Sequence, residues 1–459
     1  MSMSVDGLVS GIDTTSLINQ LMKAEAGPQT ALKTKLGMSQ TTASAYRTVN
    51  TTFLAITTAA EAALKPELWA MTKATSSSTN VAVSASSGAL TGALTFTVEK
   101  LAASHAVSNR NTGVWTASTS AYGASSIEVF DKAGVSKGTV TIGGTQTIAD
   151  AAAAINASSM GLSAAVVQIS ATEVGLQVTS KTSGADGQFS FTGAGSTTIN
   201  TQAQNAELKI GTTTPYTVSS ATNTFSGVLP GTTLTVNKAD PLTQVTVTVA
   251  SDPDAVAAKV AALVDAVNAT LNTVKTYTSN AKGSTAALKG DYSVSSLAGR
   301  LLDAVASAVG SDGSPAQVGF QLSKDGRITF DKAKFATALK DTPDLAQRMV
   351  SGTPASNGTD GLAGTGDDVA AITGIAGRLL AVSKSASDAA TGTLGALATG
   401  QDSLVKDLTD RIAAWDLRLA KRKETLTRQF TAMETALSSL KSQSSWLAGQ
   451  ISSLPSSSS

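Results

Sequence analysis

Apolar side chains recur at helical spacing near both ends of the chain and alternate with polar ones between. Behind Asp13, well placed as an N-cap, Leu17, Ile18, Leu21 and Met22 fall three and four residues apart, gathering on one stripe of a short helix. Gly27 and Pro28 stop that helix and open another. The second helix is predicted to run to about residue 64, with Leu32, Leu36, Tyr46, Val49, Phe53, Ile56 and Leu64 spaced for one buried face, loosened by many threonines of middling helix propensity.

From about residue 73 the period changes. NVAVSAS, LTFTVEKLA, SIEVF, GTVTIGG, AAVVQIS, VGLQVTS, FSFTG, AELKIG, TLTVN and QVTVTVAS read as strands, separated by Gly, Asn and Asp turn signals that suit small β domains. One helix, TIADAAAAINASS at residues 147–159, interrupts them.

At Asp252, Pro253 and Asp254 the helical period returns, with Val256, Val260, Leu263, Val267, Leu271 and Val274 on one face. Two short alternating runs around Asp325 and Gly326 predict a hairpin, followed by a helix from about Asp331, and residues 351–368 read as a loop. The last element runs without proline from about residue 404 to 454, far longer than the 8 to about 20 residues of an ordinary globular helix. Its stripe passes through Leu404, Leu408, Ile412, Trp415, Leu419, Leu426, Phe430, Met433, Leu437, Leu440, Leu447, Ile451 and Leu454, with Arg422 and Ser444 in its gaps. That spacing suits a coiled coil with local stutters.

The fold class expected is α+β and multidomain: terminal helices forming a coiled-coil leg, a helical domain with a β-hairpin, and inserted β-rich head domains. The expected division is a leg helix over residues 1–45, helical domain over 46–74 and 252–400, inner β head over 75–109 and 204–251, outer β head over 110–203, and coiled-coil leg over 401–459. The two end stripes either bury each other in one bundle or offer themselves to partners; spacing alone leaves both readings open.

Composition narrows the function. A length of 459 residues exceeds one ordinary core, and aromatics at 4% with charges at 15% leave Ala, Ser, Thr and Gly an unusual share. The 34 Lys and Arg balance 33 Asp and Glu, so no net field draws the chain to nucleic acid or anionic lipid, and proteins are the expected partners. No apolar run is long enough to span a membrane, and Asp6, Asp13, Lys23 and Glu25 interrupt the place where a secretory signal would lie.

Catalytic chemistry lacks a starting residue. Cysteine is absent, excluding disulfides and thiolate metal sites, and the single histidine, His105, reads as a surface or turn residue. No Gly-Lys dipeptide occurs, so no P-loop can be drawn. The acidic loop with Asn357, Asp360, Asp367 and Asp368 lacks EF-hand spacing, and the Lys421-Arg422-Lys423 run reads as the wet face of the coiled coil. No catalytic residue, cofactor or metal ligand is expected.

Several runs carry a family resemblance. DGLVSGIDTTSLINQLMKAEAGP resembles the opening of bacterial flagellar filament-capping proteins, the hook-associated protein type 2 family, and GALTFTVEKLAASH resembles the closing strand of that region. AAINASSMGLSAAVVQ, centred on Ile155 and Asn156, resembles the Ile-Asn repeat of hook-associated proteins and flagellins. GTTLTVNKAD, TVTVASDPDAVAAKVAALVDAVNATLN, LKGDYSVSSLAGRL, GFQLSKDGRITFDKAKF and SSLKSQSSWLAGQISSL resemble successive C-terminal blocks. The family often has Tyr where this chain has Val267, and the likeness is weakest over residues 110–203.

The resemblance implies an extracellular, non-enzymatic homo-oligomer at the filament tip, exported through the flagellar type III pathway without a cleaved signal peptide. It would promote flagellin incorporation and prevent loss of exported monomers. Implied partners are flagellin, further copies of the chain, the hook-filament junction protein and a cytosolic export chaperone, without nucleic acid or membrane insertion. The residues expected to bind partners lie on the leg helices: Leu17, Ile18, Leu21, Leu426, Phe430, Met433, Leu437, Leu440, Trp446, Leu447 and Ile451. An alternative of another class is an adhesin whose β head binds host mucin or glycans, suggested by its Ser- and Thr-rich character; a glycan hydrolase is a third reading, lacking a clear carboxylate pair.

Overall fold

A computed structural model describes residues 11, 13–356 and 370–452. The chain divides into two units, Met1–Leu64 with Ala257–Ser459, and Lys65–Val256. The fold is α+β, with terminal helices, a helical domain carrying a hairpin, and β-rich domains inserted between.

The first unit opens with α1 (Thr14–Glu25) and α2 (Gly27–Leu64). The Asp13 carboxylate accepts Ser16 N–H at 2.7 Å, satisfying one of the orphan donors of the first turn. Pro28 supplies no N–H, yet Ala26 keeps helical backbone angles and bonds flank the break, from Ala26 N to Met22 O and from Thr30 N to Ala26 O. The two helices are therefore separated by a proline break one residue wide. Along α2, Thr30, Thr34, Thr41, Thr48, Thr51, Thr57 and Thr58 turn their hydroxyls back onto the carbonyl four residues earlier, which hides these polar groups locally.

The second unit begins with α3 (Pro66–Trp69), β1 (Thr72–Ser76), β2 (Val81–Ala85) and β3 (Gly92–Lys100). An inserted lobe follows, comprising β4 (Ser104–Arg110), β5 (Ser126–Asp131), β6 (Ser136–Thr141), α4 (Ile148–Ala157), β7 (Leu162–Ser170), β8 (Glu173–Ser183), β9 (Phe189–Thr192) and β10 (Ser196–Thr201). The chain then returns through β11 (Ala206–Ile210), β12 (Tyr216–Ser220), β13 (Thr224–Ser226), β14 (Thr232–Val236) and β15 (Asp240–Ser251).

Two separate cores result. In the inner lobe, the antiparallel sheets β1-β15-β3-β11-β12 and β13-β14-β2 enclose Val81, Phe96, Val98, Leu208, Leu234 and Val247. In the outer lobe, the sheets β10-β4-β8-β7 and β6-β5-β9 close with α4 over Trp115, Tyr122, Ile127, Ile148, Ile155 and Leu176. Alternation places every second residue inward: Thr232, Leu234 and Val236 of β14 are buried, with Thr233 and Thr235 half-buried between them. α4 begins with a capping box in which Thr147 and Asp150 satisfy each other's backbone N–H groups.

The first unit resumes with α5 (Pro253–Thr278), whose predicted face is buried from Val256 through Val274, Val267 included. α6 (Tyr292–Ala306), the hairpin β16 (Phe320–Leu322) and β17 (Ile328–Phe330), α7 (Lys332–Asp341) and α8 (Pro343–Ser351) follow. Gly326 takes φ 78° at the hairpin turn, where a side chain would be strained. The strands β18 (Gly352–Thr353) and β19 (Ile372–Thr373), α9 (Ile375–Ser387) and α10 (Thr393–Ser452) complete the unit.

Three local expectations are corrected. His105 is buried within β4 rather than exposed at a turn, because both ring edges find backbone partners. The loop expected from residue 351 begins as the end of α8 and then β18, since Gly352 lets its backbone approach Ile372, where a Cβ would collide with the Ile372 carbonyl. The last helix starts at Thr393 rather than about residue 404: Gly395 and Gly400 weaken its propensity, but burial of Leu394 and Ala398 overrides them. The borders expected at 45/46 and 400/401 fall inside continuous helices α2 and α10. Asn357, Asp360, Asp367, Asp368 and Leu454 lie outside the described residues.

Candidate partner-binding surface

The terminal helices pair antiparallel. Arg47 meets Asp402, Gln29 donates to the Asp416 carboxylate, and Arg422 Nε meets Glu25 Oε1 at 2.9 Å, so residue numbers rise along α1 and α2 as they fall along α10. α10 thus lies along α2 and then α1. Arg422, one of the two gaps in the apolar stripe, is filled by this ion pair, while Lys421 and Lys423 are exposed. Arg418 lies over the Trp415 ring at 4.9 Å, a cation–π contact on the outer surface of the same helix.

The expected site residues separate into two groups. Ile18 and Leu426 are buried at the contact of α1 with α10, and Phe430 and Leu437 are half-buried. Ile18 and Phe430 line a shallow groove together with Thr14, Thr427 and the buried Glu434. Leu17, Leu21 and Met433 stand at the margin, 37%, 41% and 36% exposed. Leu440, Trp446, Leu447 and Ile451 are 60%, 66%, 55% and 62% exposed, on the part of α10 that no described residue of α1 accompanies. That part, residues 435–452, amounts to roughly 27 Å of helix at the usual rise.

Sequence reading missed two features of α10. Leu417 is 67% exposed off the stripe. Glu434 is buried within it, although a charged residue among apolar neighbours reads as solvated by default. The structure does not bring the expected residues to one point; it spreads them along α1 and α10, which suits a long partner surface rather than a reaction centre.

Chemistry-bearing clusters are sparse. Among the described residues no group of three or more His, Cys, Asp or Glu is placed to hold a metal, and no helix is long and apolar enough to cross a membrane. Two carboxylates with lowered proton affinity are structural: Asp312 is held below the usual carboxylate range by the Arg348 guanidinium, and Asp150 by Thr147 within the cap of α4.

Residues 10–105 match the family model described as flagellar hook-associated protein 2 N-terminus, and residues 203–442 match flagellar hook-associated protein 2 C-terminus. The chain is 25% identical over 493 aligned positions to flagellar hook-associated protein 2 of Escherichia coli strain K12, covering 98% of each. The same protein of Escherichia coli O157:H7 is likewise 25% identical, with 98% of each covered. Among solved structures, the D1-D2-D3 domains of the Escherichia coli flagellar cap protein FliD align with a TM-score of 0.58 at 24% identity, covering 78% of this chain and 99% of that one.

Proposed function

Because the chain belongs to the flagellar hook-associated protein 2 family, we propose that it caps the growing flagellar filament, oligomerising at the tip and promoting incorporation of exported flagellin. The role is mechanical rather than enzymatic. Copies of the chain would form the cap, and the leg would engage flagellin or a neighbouring cap subunit through Leu440, Trp446, Leu447 and Ile451, with Leu17, Leu21 and Met433 extending the contact.

The observation that supports this reading best is the end of α10 that no described residue of α1 accompanies. Four large apolar side chains on one helix, each more than half exposed, cost free energy in water and become favourable when a partner covers them, at roughly 25 cal/mol per Å². A helix packed along α2 and α1, with no described residue of α1 beside residues 435–452, can refit against a changing lattice without unfolding its own domain.

Export through the flagellar type III pathway, contact with the hook-filament junction protein and binding of a cytosolic chaperone belong to the same proposal. The test is deletion of the gene in its host, scoring flagellin in filaments against flagellin released as monomer. Loss of filaments with flagellin in the medium, restored by the full chain but not by one ending at residue 403, is the expected result. Normal filaments would overturn the proposal.

A further inference from the structure

The neck between the inner and outer lobes of the β head holds the chain's single histidine. The chain crosses from β3 to β4 through residues 101–103 and returns from β10 to β11 through residues 202–205. The two apolar cores are separate, the inner one reaching the neck through Leu101 and Ala102 packed against it. Hydrogen bonds also join the neck: Ala103 N donates to Gln204 O at 2.9 Å, Gly184 N to Ala103 O at 3.2 Å, and Gln204 Nε2 to Leu101 O at 2.9 Å. Asn205 ties the lobes side to side, its Oδ1 accepting Ala185 N at 2.7 Å and its Nδ2 donating to Ser219 Oγ at 3.0 Å.

His105 is 1% exposed at the centre of this arrangement. Its Nδ1 accepts the Ala203 N–H at 3.2 Å, so the folded ring carries its proton on Nε2, and the backbone carbonyls of Phe189 and Thr201 lie close to the ring. The Phe189 ring packs edge-on at 5.1 Å. The titratable groups on the surrounding elements are Arg110 on β4, Glu173 and Lys181 on β8, and Asp186 in the turn after it; Lys181 is exposed, Asp186 pairs with Lys132, and Arg110 pairs with Glu173 at the far end of the two strands. β9, β10 and residues 202–205 contain no ionisable side chain.

We propose that His105 is a pH-sensitive latch on the neck: protonation at Nδ1 sets two N–H donors face to face at Ala203, breaks the bond across the returning strand, and frees the outer lobe to move. Burial lowers the affinity of this imidazole for a proton, against the smaller opposing pull of the Phe189 and Thr201 carbonyls. The opened neck exposes the ring to water and returns it toward its ordinary value of 6.5. Protons therefore bind the open form preferentially. Closure is complete well above pH 6.5 and is lost as pH falls from there toward the lowered folded-state value.

The test uses the full chain, whose lack of cysteine makes introduced labels unique. Spin labels at Ala133→Cys in the outer lobe and Thr213→Cys in the inner lobe report the lobe-to-lobe distance, and amide exchange reports protection at Ala203. The expected result is a loss of Ala203 protection by up to about tenfold per pH unit below 6.5, with a broadened distance distribution over the same span. Protection at Val178 and Val247, in the two cores, stays constant, and His105→Gln abolishes the pH response. An imidazole that titrates while distance and Ala203 protection stay fixed would overturn the latch, as would an equal pH response in His105→Gln. Should that variant fail to fold, the wild-type chain still decides: parallel loss at Ala203, Val178 and Val247 means global destabilisation and refutes the proposal.

Discussion

Asn268 pairs with Ile328 as a strand would: its Nδ2 donates to the Ile328 carbonyl at 2.7 Å and its Oδ1 accepts the Ile328 N–H at 2.9 Å. Asn156 does the same for Ala164, at 2.8 Å and 2.9 Å. Each amide projects from a helix and satisfies one backbone residue of a strand lacking a neighbour on that side, β17 against α5 and β7 against α4. The Ile155-Asn156 pair thus divides its work, the isoleucine filling the outer core and the asparagine fastening the edge of its sheet.

This geometry predicts the effect of removing the donor alone. Asn268→Asp keeps an acceptor for Ile328 N–H but sets a carboxylate against the Ile328 carbonyl, and should cost about 2 kcal/mol or more at neutral pH. Acidification below about pH 4 should recover part of the loss, since a protonated carboxyl can donate. Denaturant unfolding at pH 7 and pH 3.5, each referred to wild type at the same pH, measures both. An equal deficit at the two pH values would mean that packing, and not the donor, is what Asn268 supplies.

Tyr46 and Asp291 make the corresponding prediction at alkaline pH. Tyr46 Oη donates to Asp291 Oδ2 at 2.6 Å, while Asp291 Oδ1 caps α6 by accepting Val294 N–H at 3.1 Å. Burial, then the hydrogen bond and charge of Asp291, push the Tyr46 phenol up to about 12. A folded-state value above the ordinary 10.0 means that the protonated phenol stabilises the fold fully below pH 10, and that this contribution is lost as pH rises toward 12. Tyr46→Phe should lower stability by about 1 to 2 kcal/mol at pH 7 and reduce the alkaline loss. Tyrosinate absorbance followed alongside helical circular dichroism checks it.

Much of this architecture is legible in the sequence where periodicity and burial coincide. The α5 face from Val256 to Val274 is buried as spaced, and LTFTVEKLA and QVTVTVAS become the long neighbouring strands β3 and β15. β10 is illegible because all six of its residues are exposed, so STTINT carries no alternation; its pairing with β4 is a backbone matter. His105 is hidden for another reason. Its burial depends on Phe189 and Ala203, distant in sequence, and no local pattern announces that both ring nitrogens will be satisfied. Of the expected partner-binding residues, spacing placed the stripe, but only the position where α1 ends against Glu434 separates packed Leu426 from exposed Trp446.

Within the leg, packing should outweigh charge. Leu426 is buried where α1 meets α10, whereas the Arg422–Glu25 pair is nearly half exposed on both partners. Leu426→Ala should cost about 2 to 3 kcal/mol and release α1 to amide exchange, while Arg422→Ala should stay within about 1 kcal/mol because solvent screens the pair. Exchange of residues 13–25 in the two variants decides; a larger effect of Arg422→Ala would make the ion pair the main fastening of α1.

The exposed end of α10 should behave in the opposite way to Leu426. Trp446→Ser, Leu447→Ser and Ile451→Ser remove apolar surface that the folded chain already leaves in water, so thermal unfolding of the triple variant should match wild type. If those side chains are covered in an assembled cap, each deletes a contact made only there, and filament length should fall with flagellin appearing in the medium. Leu417→Ser is the control, since Leu417 is 67% exposed on the same helix but outside residues 435–452. Assembly defects shared equally by the triple variant and Leu417→Ser would mean that apolar content of α10 matters without regard to position. A triple variant that assembles normally would remove residues 435–452 from the contact and shift it to the margin formed by Leu17, Leu21 and Met433.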